Sequence, residues 1–165
     1  MRGDVGALAK AIMIKIAVIG AGQFGINLLN AFAQHERETG QCELAAFADT
    51  NEATLCRRKD EFGIRGYTDY RRMLECEDLD AVAVATPDPF HREIAIYSAS
   101  MGKHVLVEKP MDVTVEGCAA MIDAAERAGV LLQVDFHKRY DPYHREIEKL
   151  VGQGELGRIE YGYAN

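Results

Sequence analysis

The sequence lacks an excess of basic residues. Its 165 residues include 19 lysines and arginines against 26 aspartates and glutamates, which gives a formal net charge of −7. Sequence-independent nucleic-acid binding and attachment to an anionic membrane surface both need a basic footprint, so neither is expected. An anionic small molecule can still be a ligand, because backbone N–H groups bind anions locally.

Paired cysteines are also lacking. The four cysteines form no C-x-x-C pair and share no zinc-site spacing with the histidines; they are Cys42, Cys56, Cys76 and Cys118. This pattern predicts no metal centre. It also predicts reduced, mostly buried thiols in a cytoplasmic protein.

Long apolar runs are missing too, since no stretch approaches the roughly 18 residues of a membrane-spanning helix. The first residues carry Arg2, Asp4 and Lys10 without a clean apolar block after them, so no secretory signal is predicted. We expect residues 1–12 to be a poorly ordered extension that precedes the first strand.

What the sequence does contain is a regular alternation of strand-like and helix-like segments. Nearly half of the residues (48%) are apolar, which is enough to build the core of one domain. Strands are predicted at Ile14–Ile19, Glu43–Ala48, Ile64–Tyr67, Ala81–Ala85, Val105–Val107 and Val130–Val134. Helices are predicted at 22–37, 51–62, 69–74, 91–101, 114–128 and 142–151. Asn51, Asp69 and Thr114 are the expected N-terminal caps of the second, third and fifth of these helices. Strands separated by helices predict a Rossmann-like, doubly wound α/β fold with a parallel sheet and helices on both faces.

A further strand is predicted at Arg158–Tyr163, after the glycine-rich stretch 152–157. Its apolar and polar residues alternate, which is typical of an antiparallel sheet with one wet face. No later segment of the sequence can pair with it. We therefore expect it to be disordered or to pair with another chain.

A glycine motif follows the first predicted strand and opens the first predicted helix. It fits G-x-G-x-x-G and reads Gly20-Ala21-Gly22-Gln23-Phe24-Gly25. In this context the first glycine permits a tight turn, the second lets a pyrophosphate approach the backbone, and the third allows the helix to pack on the strand. The pattern predicts a dinucleotide site, and the alternative is a tight turn that binds nothing.

An acidic residue, Asp49, ends the second predicted strand and is followed by Thr50. A carboxylate there can accept hydrogen bonds from the ribose hydroxyls of an adenosine and repel a 2′-phosphate, which favours NAD over NADP. The alternative is that Asp49 caps the next helix. Arg57 and Arg58 lie further along that helix, so a clamp for the 2′-phosphate of NADP stays open.

Polar segments follow the fourth, fifth and sixth predicted strands, where ligands of a parallel sheet bind. They begin at Thr86-Pro87, at Glu108-Lys109-Pro110 and at Phe136. The ammonium of Lys109 could hold the oxygen of a substrate hydroxyl or carbonyl while a hydride moves. The alternative for one lysine at a strand end is a solvated side chain.

Together these features resemble the Gfo/Idh/MocA family, the family of glucose–fructose oxidoreductase and inositol dehydrogenase. The resemblance runs from about Met13 to the end of the chain, and its most specific part is G-K-H-V-x-x-E-K-P at 102–110. It implies an N-terminal NAD(P)-binding Rossmann domain that we expect over residues 13–152. It further implies that residues 153–165 are a stub of a C-terminal α+β domain, which in the family binds substrate and mediates oligomers.

The resemblance also implies roles for individual residues. Lys109 would assist catalysis beside the nicotinamide, and Glu108 would contact the ribose or orient the lysine. The other residues expected to line the cofactor groove are Ala85, Thr86, Pro87, His91 and Arg139. The family's aspartate/histidine pair for proton transfer belongs to the second domain. His144 does not replace it, because a solvated or capping histidine is expected at that position.

The function predicted on this basis is an NAD(P)-dependent oxidoreductase that transfers hydride between nicotinamide and a sugar, an inositol or a similar polyol. A homo-oligomer formed through the C-terminal region is expected. The 165 residues alone are expected to bind dinucleotide but to be catalytically incomplete. Two alternatives stay open, an NAD-dependent glycosidase of the same family and a non-catalytic dinucleotide-binding module.

Overall fold

A computed structural model describes residues 13–163. Six strands form one sheet: β1 (Ile14–Ile19), β2 (Cys42–Ala48), β3 (Arg65–Tyr67), β4 (Ala81–Val84), β5 (His104–Glu108) and β6 (Leu132–Asp135). The helices are α1 (Gly25–Thr39), α2 (Glu52–Phe62), α3 (Tyr70–Cys76), α4 (His91–Ser100), α5 (Val115–Ala128) and α6 (Pro142–Gly152). Short 3₁₀ turns precede α4 and α6, at Asp88–Phe90 and His137–Arg139.

The strand order is β3-β2-β1-β4-β5-β6, and the four strand pairs whose registers are resolved are parallel. This order reverses direction between β1 and β4, which creates the switch point where such sheets bind ligands. The predicted α/β sheet is therefore confirmed, with each strand within a few residues of its expected position.

Helices cover both faces of the sheet, because alternate side chains of β1 belong to two different buried clusters. Ala17 and Ile19 belong to one buried cluster, which also takes Met73 of α3 and Met121 of α5. Ile16 and Val18 belong to a second cluster, with Leu29 of α1 and Leu55 of α2. Successive side chains of a strand point to opposite faces, so these two clusters are the two halves of a doubly wound core.

Local capping signals place the helices correctly. The side chains of Asn51, Asp69 and Thr114 accept hydrogen bonds from backbone N–H groups in the first turns of α2, α3 and α5. Such side chains replace the hydrogen-bond partners that a helix N-terminus lacks. The three predicted caps are confirmed.

The chain divides into two compact units, one ending at Val134 and the other beginning at Asp135. The second unit contains α6, whose first turn is capped by Asp141. His144 lies 3.1 Å from the Asp141 carboxylate through its Nδ1 and is 54% exposed. His144 is therefore an exposed residue in the first turn of α6, as the sequence predicts. The domain boundaries at 152 and 153 stay predictions.

Residues 158–163 form no strand within 13–163 and are exposed. A strand needs a neighbour that satisfies its backbone N–H and C=O groups, so the expected pairing of this segment with another chain stays a prediction. One expectation is wrong: the four cysteines are free but not mostly buried, since only Cys42 is buried, while Cys56 and Cys76 lie on exposed positions of α2 and α3. The expected disorder of residues 1–12 lies outside the described residues.

Candidate functional site at the carboxyl edge of the sheet

The glycine motif connects β1 to α1, and its three glycines have different surroundings. Gly20 has a φ of +89°, and a Cβ built on it would lie 2.7 Å from the Ala85 carbonyl oxygen. A Cβ on Gly25 would lie 1.8 Å from the carbonyl oxygen of Gly20. Among the described residues, no atom lies within 4 Å of a Cβ built on Gly22. Two glycines therefore close the turn, and the middle one faces open space.

The carboxylate of Asp49 holds this turn against the end of β2. Its Oδ2 accepts the backbone N–H of Ala21 at 2.8 Å, and its Oδ1 accepts that of Asn51 at 2.8 Å. Asn51, not Asp49, caps α2. Each carboxylate oxygen can accept more than one hydrogen bond, so Asp49 keeps acceptor capacity for a ligand. The neighbouring Thr50 is exposed.

Arg58 makes contacts at the glycine turn that the sequence did not predict. It is 8% exposed, its Nε donates to the Ala21 carbonyl at 3.1 Å, and its guanidinium pairs with Glu61 at 2.6 Å. Its guanidinium is thus engaged within the protein, whereas Arg57 is exposed on α2. The sequence carries one signal that Arg58 is buried: it lies three positions after Leu55, and residues at this spacing share one face of a helix.

Lys109 directly follows β5 and reaches the glycine turn. Its Nζ lies 5.8 Å from the ring centroid of Phe24, within the range of a cation–π contact. Glu108 is buried, and its Oε2 accepts the Lys109 backbone N–H at 3.2 Å. The Lys109–Pro110 peptide bond is cis. The structure therefore brings the lysine and the glycine motif to one edge of the sheet.

The segment after β4 lies beside this edge. Ala85 and Thr86 are half-buried and Pro87 is exposed. His91, the first residue of α4, is fully buried. Its Nε2 lies 2.8 Å from the Thr86 carbonyl oxygen and its Nδ1 lies 2.9 Å from that of Pro110. The histidine thus connects the segments that follow β4 and β5.

A buried carboxylate, Asp112, stabilises the segment after Lys109, and the sequence did not point to it. Its Oδ1 accepts the N–H and the hydroxyl of Thr114, both at 2.8 Å, while Arg92 lies 3.9 Å from its Oδ2. The hydrogen bond from the Thr114 hydroxyl is the main reason that the pKa of Asp112 lies below its usual value. A Cβ on Gly117 would lie 2.0 Å from Oδ1, which explains glycine at that position of α5.

Arg139 lies in the second compact unit, in the exposed 3₁₀ turn before α6. Its expected contact with a cofactor stays a prediction. Across residues 13–163, no helix combines the length and apolar character needed to cross a membrane.

Comparison with known proteins adds a family to this geometry. Residues 14–136 match the GFO_IDH_MocA family, described as an oxidoreductase family with an NAD-binding Rossmann fold. Inositol 2-dehydrogenase 2 of Saccharopolyspora erythraea is 32% identical over 147 residues, which are 88% of this chain and 42% of that protein. A glycosyl hydrolase family 109 protein of Shewanella baltica is 31% identical over 171 residues, covering 97% of this chain and 36% of that protein.

A solved structure shows the same fold. The WlbA dehydrogenase from Bordetella pertussis, in complex with NADH and UDP-GlcNAcA, has a TM-score of 0.81 and 33% sequence identity. The match covers 89% of this chain and 44% of that one. The chain therefore spans less than half the length of the proteins that it resembles.

Proposed function

Because the chain belongs to the Gfo/Idh/MocA oxidoreductase family, we propose that it binds NAD and serves hydride transfer to or from a sugar, an inositol or a similar polyol. The observation that carries this proposal is the meeting of Lys109 and Phe24 at one edge of the sheet. This contact supports the proposal, because the turn that would bind the pyrophosphate and the lysine that would hold the substrate oxygen lie close together.

The residues present fit a dinucleotide. Gly22 offers an open backbone surface where any larger residue would place a Cβ. Within residues 13–163 no side chain caps the N-terminus of α1, and its first turn carries no acidic residue. Its first N–H groups and the positive end of its dipole suit a pyrophosphate. The dinucleotide, when bound, supplies the nicotinamide that takes up or returns the hydride.

We infer that Asp49 selects NAD, because its fixed carboxylate would accept ribose hydroxyls and repel a 2′-phosphate. Asp49→Ala is expected to raise the Kd for NADH by about tenfold or more, the effect of losing a hydrogen bond to a charged group. The ratio of the Kd for NADPH to the Kd for NADH should fall. Fluorescence titration with both cofactors measures the two constants.

Arg57→Ala is the control for the Asp49 experiment, because Arg57 is an exposed cation on α2, the helix that follows Asp49. It should change neither constant by more than about twofold if no phosphate clamp operates. Tighter binding of NADPH than of NADH by the wild type would contradict the assignment of Asp49.

In the proposed reaction, Lys109 donates a hydrogen bond to the substrate oxygen and stabilises negative charge on it as the hydride leaves or arrives. Glu108 accepts the Lys109 N–H and so orients the residue. Lys109→Met is expected to lower the rate of hydride transfer by about 10²–10⁴-fold. The Kd for NADH should change little. Single-turnover formation of NADH, with enzyme in excess over a panel of polyols and sugars and with long observation times, measures this rate even where hydride transfer is slow.

Lys103→Met is the matched control, because Lys103 precedes β5 and its Nζ donates to the Leu79 carbonyl at 2.8 Å. It lies at the opposite end of the same strand and should leave the rate unchanged. An undiminished rate in Lys109→Met would contradict the catalytic role and favour a non-catalytic dinucleotide-binding module.

A second candidate function is an NAD-dependent glycosidase, which the similarity to the glycosyl hydrolase family 109 protein favours. Net cofactor reduction separates the two activities. A dehydrogenase accumulates NADH from a polyol, whereas a glycosidase releases sugar from a glycoside and leaves the NAD unchanged.

We also propose that the 165 residues alone bind dinucleotide but turn over little, since they span less than half of their relatives. Substrate choice, a homo-oligomer formed through the C-terminal region and a cytoplasmic location stay predictions.

A further inference from the structure

His91 lies where a direct contact with a cofactor is not available to it. The side chain is fully buried, and each ring nitrogen lies within 3 Å of a backbone carbonyl oxygen. One carbonyl belongs to Thr86, just after β4, and the other to Pro110, just after Lys109. The strands β4 and β5 are neighbours in the sheet. The ring therefore links the two segments that would border the nicotinamide.

The chemistry of the two partners specifies the state of the ring. A carbonyl oxygen only accepts hydrogen bonds, so each ring nitrogen must carry a proton to bond with its partner. Neutral imidazole carries one N–H, and the imidazolium carries two. A neutral ring would leave a nitrogen lone pair facing a carbonyl oxygen in a buried place, which is unfavourable.

A buried counter-charge accompanies the ring. The pKa of Asp112 is lowered mainly by Thr114, with smaller electrostatic contributions from Arg92 and then from His91. The Asp112 carboxylate is 1% exposed and is also held by the Thr114 hydroxyl. This buried negative charge would favour a positive charge on the ring, because charges interact strongly where the dielectric constant is low.

We propose that His91 is a positioning residue, which in its two-proton form holds the Thr86 and Pro110 carbonyls together and thereby sets the position of Lys109. This deepens the proposed function and rests on it, because Lys109 is the group being positioned. It replaces the expected contact between His91 and the cofactor by an indirect role through the backbone.

The proton count is tested first, on the wild-type chain. Long-range ¹H–¹⁵N spectra distinguish an imidazolium from either neutral tautomer, and the spectrum of His91→Gln assigns the His91 signals among the five histidines. We expect both ring nitrogens of His91 to carry protons at neutral pH. A single ring proton would overturn the cationic link.

The effect on Lys109 is tested next by NMR, in protein whose lysine side chains carry ¹³C-labelled methyl groups. Glutamine has one donor nitrogen where histidine has two nitrogens, and its amide oxygen cannot donate to a carbonyl, so His91→Gln retains at most one of the two links. It should shift the Lys109 signal while leaving that of Lys103 in place. It should also raise the Kd for NADH about five- to tenfold, as expected for one lost hydrogen bond. Unchanged Lys109 signals and unchanged affinity would overturn the proposal.

Ser98→Ala is the matched control, because Ser98 is fully buried on the same helix and its hydroxyl has no hydrogen-bond partner among residues 13–163. It should leave the Lys109 signal unchanged; a shift equal to that in His91→Gln would assign the effect to general packing of α4 and overturn the proposal. Absence of NADH binding by the wild type would instead contradict the proposed function. The ring-proton count and the Lys109 signal would still decide the role of His91.

Discussion

Gly22→Ala is expected to leave the protein folded and to weaken NADH binding by about 5- to 150-fold. The new methyl group meets no protein atom within 4 Å in the described part of the chain, and Gly22 is not among the glycines with positive φ. Alanine is therefore not strained there. The methyl group would instead occupy the surface that a pyrophosphate approaches, and forcing one extra methyl group into a packed contact costs about 1–3 kcal/mol.

Two measurements check this expectation, a fluorescence titration with NADH and a thermal unfolding curve. Gly152→Ala is the control, since its Cβ also meets nothing within 4 Å of the described residues, and it lies at the end of α6. It should alter neither result. If Gly22→Ala bound NADH as tightly as the wild type, the dinucleotide would not approach the turn at Gly22.

Gly25→Ala is expected to have the largest effect on stability. Its Cβ would lie 1.8 Å from the Gly20 carbonyl oxygen and 2.8 Å from the carbonyl carbon. Both atoms are backbone, so no flexible side chain can move aside. The turn would have to separate from α1 at a position where Gly25 is buried.

The cost of this rearrangement should be at least about 3 kcal/mol, the upper end of overpacking effects. For a chain of this size it corresponds to a fall in Tm of roughly 6–12 °C or to loss of the cooperative transition. Circular dichroism during heating measures it, with Gly22→Ala as the comparison. A Tm within about 2 °C of the wild-type value would contradict this expectation, because it would mean that the turn accommodates the methyl group without rearranging.

The sequence predicts the framework well because its signals are local. The caps Asn51, Asp69 and Thr114 act on residues two or three positions away, and the buried strands are short apolar runs. The segment at 158–163 has the local pattern of a strand but forms none within residues 13–163. A strand also needs a neighbour, and alternation along one segment carries no information about that.

The site was predictable only in part. The glycine motif and Asp49 follow from strand ends, which converge at one edge in any parallel sheet. Lys109 stood out through the resemblance to a family, since a lone lysine usually means a solvated side chain. Arg58 and His91 make contacts to residues 37 and 19 positions away in sequence, respectively, and no spacing rule encodes such pairs.

Both backbone polar groups of Ala21 are hydrogen-bonded to side chains: its N–H donates to the Asp49 carboxylate, and its carbonyl accepts from Arg58. The turn is thus ordered before any ligand arrives, and a ligand need not supply the entropy of ordering it. Replacing Asp49 to change the cofactor preference from NAD to NADP would remove the repulsion of the 2′-phosphate. It would also loosen the turn, because Ala21 would lose its hydrogen-bond acceptor. A successful conversion of this chain should need a second substitution that offers Ala21 a new acceptor.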